Sequence, residues 1–190
     1  MRIRRWLADI YWRLSRWTPH AEPMPQRGVL IGAPHTSNWD FVLMVMVSWR
    51  IGARFRFLAK RSVFVGPLGW LMRGLGGIAV DRSAEHGLVE QLVDMAGRGE
   101  RFLLVITPEG TRGKVDYWKS GFYRLARAAQ LPVILGFIDR RQMRCGVGPH
   151  LQVSDDVVAD MDQIRAFYAG KVGVREGLES VPRLRDESSI

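Results

Sequence analysis

A histidine and an aspartate five positions apart, His35 and Asp40, lie in the stretch Ile31-Gly32-Ala33-Pro34-His35-Thr36-Ser37-Asn38-Trp39-Asp40. An apolar run, Val29 to Ala33, precedes the histidine, and a longer one, Phe41 to Trp49, follows the aspartate. The pair therefore falls at a strand-to-helix junction, and such junctions place side chains at the open end of an α/β sheet. A histidine there serves as a general base near neutral pH, and a nearby carboxylate fixes its tautomer and raises its basicity. The same residues also fit a capping box, with Ser37 as N-cap and Asp40 at N3; on that reading Asp40 caps the helix and His35 is a loop residue.

Other expected strands end in polar groups as well. Arg54 to Ala59 alternates like a strand and runs into Lys60-Arg61. Ile78 to Val80 runs into Asp81-Arg82, and Phe102 to Ile106 runs into Thr107-Pro108-Glu109-Gly110-Thr111-Arg112-Gly113-Lys114. If these strands are neighbours, one edge of the sheet gathers a base, a carboxylate and several cations. That set suits attack by a hydroxyl on a carbonyl with a phosphate held nearby. The glycine-bounded turn is not a P-loop, because Pro108 stands where a glycine is required and no Ser or Thr follows Lys114. The Thr111 hydroxyl, the Arg112 guanidinium and backbone N–H groups can still hold a phosphate. The plainer alternative is a surface turn carrying a Glu109–Arg112 ion pair.

The elements that must position these groups alternate along the chain. Helices are expected over Phe41 to Arg50, Gly66 to Arg73, Ala84 to Gly97, Lys119 to Gln130 and Asp160 to Ala169, and further strands over Val133 to Ile138 and Met143 to Val147. This alternation predicts an α/β fold: a single-domain sandwich of a mixed, largely parallel sheet flanked by helices. Met1 to Trp17 reads as an amphipathic helix, with Ile3, Leu7, Ile10, Leu14 and Trp17 on one stripe and Trp6 and Tyr11 widening it. Arg2, Arg5, Arg13 and Arg16 lie opposite, and Trp12 falls among them. Tryptophan and arginine in one short helix suit an anionic membrane interface, and packing on the chain's own domain is the alternative. Thr18-Pro19 ends this helix and opens a linker to Gly28. The organisation expected is an anchor helix over 1–19, a catalytic domain over 28–170 and a loosely held polar tail over 171–190.

Charge is unevenly spread. The chain of 190 residues carries a net +9, but from Asp155 onward there are 8 acidic and 5 basic residues, so the preceding 154 hold 23 basic against 11 acidic. Such an excess points to an anionic partner. The aromatic residues do not form a stacking sheet, which argues against nucleic acid. No apolar run reaches the length of a membrane span, so membrane contact is expected to be peripheral. Cys145, the single cysteine, suits a reducing compartment and has no base beside it to make it a nucleophile. His20, His86 and His150 lack carboxylate partners at suggestive spacing, and no Cys/His cluster has metal-ligand spacing, so no metal site is expected.

Taken together, the blocks resemble those of the glycerolipid acyltransferases, the group that contains lysophosphatidic acid acyltransferases. His35-Thr36-Ser37-Asn38-Trp39-Asp40 is similar to the HxxxxD signature, Gly77-Ile78-Ala79-Val80-Asp81-Arg82 to the GxxFIDR block, Pro108-Glu109-Gly110-Thr111-Arg112 to PEGTR, and Leu131-Pro132-Val133-Ile134 to the proline-containing fourth block. Phe57-Leu58-Ala59-Lys60 and Gly66-Pro67-Leu68-Gly69-Trp70 are similar to the connecting segment, so the resemblance covers Gly28 to Gly148. It departs at Pro34, where the family often has Asn, at Thr107 in place of Phe, and at Leu135 in place of a second proline. The resemblance implies that His35 deprotonates an acceptor hydroxyl and that Asp40 orients His35. It implies that Glu109, Gly110, Thr111 and Arg112, with Arg82 and Lys60, bind the acceptor's phosphate. The donor implied is an acyl-CoA or acyl carrier protein thioester, the acceptor a lysophospholipid, glycerol phosphate or similar alcohol, and no metal or redox cofactor is called for. The location expected is the cytoplasmic face of a membrane, on anionic lipid. A non-catalytic lipid-binding protein and an acyl-CoA thioesterase are the alternatives.

Overall fold

The computed structural model describes residues 2–80, 98 and 101–187. Seven strands among them form one sheet: β1 (Thr18–Ala21), β2 (Arg27–Ala33), β3 (Phe55–Lys60), β4 (Gly77–Val80), β5 (Phe102–Ile106), β6 (Val133–Asp139) and β7 (Arg144–Leu151). Their order across the sheet is β1-β7-β6-β2-β5-β3-β4. β6, β2, β5, β3 and β4 run parallel, while β7 is antiparallel to β6 and parallel to β1. The sheet is thus mixed and mostly parallel in a single α/β domain, as the alternation of elements predicts. The helices are α1 (Arg2–Leu14), α2 (Trp39–Ile51), α3 (Gly66–Gly74), α4 (Gly121–Ala128) and α5 (Val157–Tyr168), with a 3-10 turn over Arg61–Phe64. The helix expected over Ala84 to Gly97 lies outside the described residues.

The central strands are buried on both faces, so they read as continuous apolar runs rather than as alternating ones. Side-chain direction nonetheless alternates. Val29, Ile31 and Ala33 of β2 join Phe122, Tyr123, Met161 and Ile164 of α4 and α5 on one face. Leu30 joins Leu43 and Val47 of α2 with Phe55 and Phe57 of β3 on the other. α2 ends cleanly because Gly52 adopts a left-handed C-cap with φ of 71°.

Three sequence expectations are corrected. The segment after Pro19 is not a plain linker: Thr18 to Ala21 forms β1, paired in register from Thr18↔Arg144 to Ala21↔Val147. A proline is tolerated there because β1 is an edge strand. The strands come so close at Gly146 that a Cβ would sit 1.8 Å from the His20 carbonyl oxygen. Second, Trp12 does not lie with the solvent-facing arginines. α1 packs on the domain through Ala8, which is buried, and through Tyr11 and Trp12. Of the apolar stripe, Tyr11 and Trp17 turn toward the core, while Leu14 (83% exposed), Ile3 (74%) and Trp6 (62%) are left outside. Third, the chain after Lys171 is not loosely held. Val172, Ser180 and Leu184 are buried, Leu184 bridges to Trp118, and Arg165 pairs with Glu187 at 2.8 Å. The apolar residues of this segment, Val172, Val174, Leu178, Val181 and Leu184, are spread among glycines, charges and a proline, so composition alone reads as a polar tail.

Candidate active site

β2 and β5 are hydrogen-bonded neighbours with Ile31 opposite Ile106, so the loops that leave them emerge side by side. His35 follows one and Glu109 the other, and the backbone N–H of His35 donates to Glu109 Oε2 at 2.8 Å. β3 lies on the far side of β5 and β4 beyond it, all parallel, so their C-terminal ends share this edge. Lys60 ends β3 there. Arg82, expected at the end of the next strand, lies outside the described residues.

Asp40 opens α2 and turns its side chain back over the loop. Its Oδ2 is 3.0 Å from His35 Nδ1 and accepts the backbone N–H groups of Thr36 at 2.8 Å and Ser37 at 2.9 Å. The two readings of this stretch therefore coincide: one carboxylate satisfies the helix-entry N–H groups and also holds the imidazole. The cap itself is shifted by one residue from expectation. Asn38 is the N-cap, without a side-chain bond, and Ser37 Oγ accepts the Trp39 N–H at 3.2 Å. An oxygen that only accepts requires Nδ1 to carry the hydrogen, which leaves Nε2 unprotonated on a neutral ring. The His35 side chain is about one-fifth exposed, whereas Asp40 is buried.

A cavity of about 820 Å³ opens at this loop. Its mouth is polar, formed by His35, Ser37, Asn38, Thr107, Arg112 and Lys119. Its interior runs between α2 and the sheet past Leu43, Met44, Val47, Phe55, Phe57 and Met72. A chamber with one polar end and a long apolar interior suits a ligand with a reactive head and a hydrocarbon tail. Cys145 also borders it, but burial pushes the thiol up to about 12, where it is not a nucleophile at neutral pH.

The residues of the Glu109–Arg112 turn divide. Arg112 lines the cavity and Thr111 is exposed beside it. Gly110 has φ of 68° and also borders the cavity. A Cβ on it would lie 2.7 Å from Lys119 Cε, at the movable end of that side chain, so the left-handed backbone rather than lack of space is what favours glycine here. Lys119 is a site residue the motifs did not single out. It stands just before α4, and its backbone N–H bonds to the Pro108 carbonyl at 2.8 Å. Glu109 stands apart from the rest of the turn: it does not line the cavity with Arg112 but is buried beneath the His35 loop. Burial pushes its carboxyl up to about 8; the His35 N–H bond opposes this, and the charges of Asp40 and Glu179 add to it.

The chain after α5 braces both loops. Thr36 is fully buried, and its Oγ1 accepts the Arg175 N–H at 3.0 Å while Gly173 packs against it. Farther on, Ser180 Oγ accepts the Val115 N–H at 2.9 Å, and the Arg183 carbonyl accepts the Trp118 N–H at 2.7 Å. Residues 173–183 thus tie the His35 loop to the segment that carries Lys119.

A family model described as Acyltransferase matches residues 18–135. No curated protein sequence matches the chain. The fold is similar to the crystal structure of the 1-acyl-sn-glycerophosphate (LPA) acyltransferase PlsC from Thermotoga maritima, with a TM-score of 0.60 at 16% sequence identity. That alignment covers 92% of this chain and 80% of the other.

Proposed function

This chain belongs to the acyltransferase family, and from that premise we propose that it is an O-acyltransferase. It moves a fatty acyl group from a thioester, acyl-CoA or acyl carrier protein, to a hydroxyl of a lysophospholipid, glycerol phosphate or similar acceptor. The observation that carries this reading is the His35–Asp40 pair at the polar mouth of a cavity whose interior is apolar.

In this mechanism His35 Nε2 takes the proton of the acceptor hydroxyl as its oxygen attacks the thioester carbonyl carbon. Asp40, held by Thr36 and Ser37, fixes the ring and stabilises the imidazolium that forms. The tetrahedral intermediate collapses with cleavage of the C–S bond, and the imidazolium returns its proton to the departing thiolate. The products are the ester and the free thiol, and the step as written draws on no metal or redox cofactor. The hydrocarbon tail occupies the chamber between α2 and β3. Arg112 and Lys119 bind the acceptor's phosphate at the mouth, with Lys60 and Arg82 as further phosphate ligands and Gly110 and Thr111 shaping the turn. Glu109 is assigned a supporting role under His35 instead.

The reading includes peripheral attachment to the cytoplasmic face of an anionic membrane through α1. Among the described residues no helix is long and apolar enough to cross a membrane. α1 supports surface attachment because its apolar stripe is exposed beside Arg2, Arg5 and Arg13.

The test is thiol release from a long-chain acyl-CoA, and in parallel from acylated carrier protein, with and without lysophosphatidic acid or glycerol phosphate. Acceptor-dependent release that disappears in His35→Ala, with the fold retained by circular dichroism, is expected. Release that needs no acceptor would make the protein a thioesterase and overturn the proposal.

A further inference from the structure

The chemistry leaves one apolar surface without a purpose. α3 and the residue before it carry Val65, Leu68, Trp70 and Leu71 into solvent, with Trp70 79% and Leu68 54% exposed. The inner side of α3 is accounted for. Gly69 sits so close to the 3-10 turn that a Cβ would lie 2.2 Å from the Phe64 carbonyl, and Met72 lines the apolar chamber. Among the described residues, internal packing therefore gives no reason for four bulky apolar side chains on the outer side, and a cluster of this kind marks an interaction surface.

Among the described residues, the charged groups that line the pocket beside the cluster are cationic. A pocket of about 510 Å³ beside α3 is lined by Arg61, Phe64, Val65, Arg73 and Ala79, and it shares no lining residue with the chamber at His35. Arg73 is fixed there: it lies over the Phe64 ring and donates to the Phe64 carbonyl at 3.1 Å. Arg61 is exposed and has no ion-pair partner among the described residues. From the other side, Arg4 of α1 donates to the Gly74 carbonyl at 3.2 Å. The start of α1, with Arg2, Ile3, Arg5 and Trp6 exposed, thus adjoins the end of α3.

We propose that α3 is a second bilayer-docking element, separate from α1, which buries Leu68, Trp70 and Leu71 at the surface of an anionic membrane and seats a lipid phosphate between Arg61 and Arg73. This rests on the reading of the chain as a lipid acyltransferase. A bilayer fits better than a protein partner for two reasons. Tryptophan and aliphatic side chains ringed by arginine match the depth profile of a membrane interface. In addition, α3 is a wall of the acyl chamber through Met72, so a hydrocarbon chain drawn from the bilayer along α3 arrives where the cavity is apolar.

The test is sedimentation of the full-length protein with phosphatidylcholine vesicles, with and without phosphatidylglycerol, beside transfer to a water-soluble acceptor. The variants are Leu68→Ser/Trp70→Ser and Arg61→Gln, all at exposed positions, with unchanged circular dichroism and melting as the control. The apolar double variant is expected to lose roughly ten-fold in vesicle partitioning. Arg61→Gln is expected to lose about five-fold, and only on vesicles with phosphatidylglycerol. Trp70→Phe should remove part of the blue shift in tryptophan emission seen on vesicle addition. Binding equal to the wild type in the double variant overturns the role of α3 while leaving attachment by α1 standing. Absence of wild-type binding to any vesicle overturns the proposal in favour of a protein partner. Loss of binding in the variants without any acyl transfer in the wild type upholds the docking surface and refutes the enzymatic reading.

Discussion

Replacing Glu109 with Gln tests whether the carboxyl beneath His35 is held neutral. The Glu109 carboxyl is pushed from an ordinary 4.5 to about 8, first by burial and then by the charges of Asp40 and Glu179. Between those values the folded protein holds a proton that the unfolded chain releases. The unfolded state then binds fewer protons, so stability falls as pH rises through this window and changes no further above it. Each pH unit is about 1.4 kcal/mol, so wild type is expected to lose roughly 3 kcal/mol between pH 5 and pH 7.5 from this group. Glutamine keeps the oxygen that accepts the His35 N–H and does not titrate. Urea unfolding of both proteins at pH 5, 6, 7 and 7.5 isolates the effect as a difference between them. The Gln variant should be within about 1 kcal/mol of wild type at pH 5 and about 3 kcal/mol more stable at pH 7.5. Its turnover near pH 7 should stay within about three-fold, because a neutral brace is replaced by a neutral brace. A stability difference that does not change with pH would refute the argument that Glu109 is neutral in the fold.

Three further outcomes follow from the same geometry. Asp40→Ala leaves the Thr36 and Ser37 N–H groups buried without an acceptor, which costs on the order of 2–6 kcal/mol; Asp40→Asn keeps the acceptor and should fold, with kcat lowered about 10²- to 10³-fold through loss of the charge beside the imidazolium. Equal thermal stability of the Ala and Asn variants would contradict the capping role. Lys119→Ala should raise KM for a phosphorylated acceptor about ten-fold and leave KM for the thioester unchanged, and a rise in the donor KM instead would move Lys119 to the other substrate. Thr36→Val removes the acceptor of the Arg175 N–H and should cost about 1–3 kcal/mol in urea, with faster hydrogen exchange over residues 173–183; unchanged exchange there would mean that the segment does not bear on the loop.

Much of the architecture was legible in the sequence because apolar runs bounded by polar turns have few interpretations. Phe102 to Ile106 and Val133 to Ile138 are too short for helices and too apolar for loops, and they are β5 and β6. The spacing of His35 and Asp40 located the pair, and the structure adds that one oxygen of Asp40 serves the loop and the ring together. Which strands are neighbours was not legible. The pairing of β2 with β5 brings the Glu109 turn beside His35, and nothing within either segment encodes that adjacency. The place of Glu109 is hidden for the same reason: its type suggests a ligand for something outside, and only the register brings it under the neighbouring loop. Lys119 carried no signal of its own, because its proximity depends on the left-handed turn at Gly110.

α1 shows how far periodicity reaches. A stripe of apolar residues at helical spacing identifies a face that water disfavours, and in most globular helices that face meets the core. Here the helix has two such faces. Ala8 and Trp12 lie on the side that packs against α2, where a small residue lets the helices approach and Arg50 pairs with Asp9 at 3.2 Å. Ile3, Trp6, Leu7 and Leu14 lie on the other side and remain outside. Packing on the domain and resting on a bilayer were alternatives in the sequence because one stripe can face one environment. With two faces they cease to compete, and the same helix can be fixed to the domain while offering its larger apolar side outward. α3 has the same construction, with Gly69 and Met72 inside and Leu68 and Trp70 outside. Two helices joined at Arg4 and Gly74 that both turn bulky apolar groups away from the core point to a shared environment rather than to two separate packing faults.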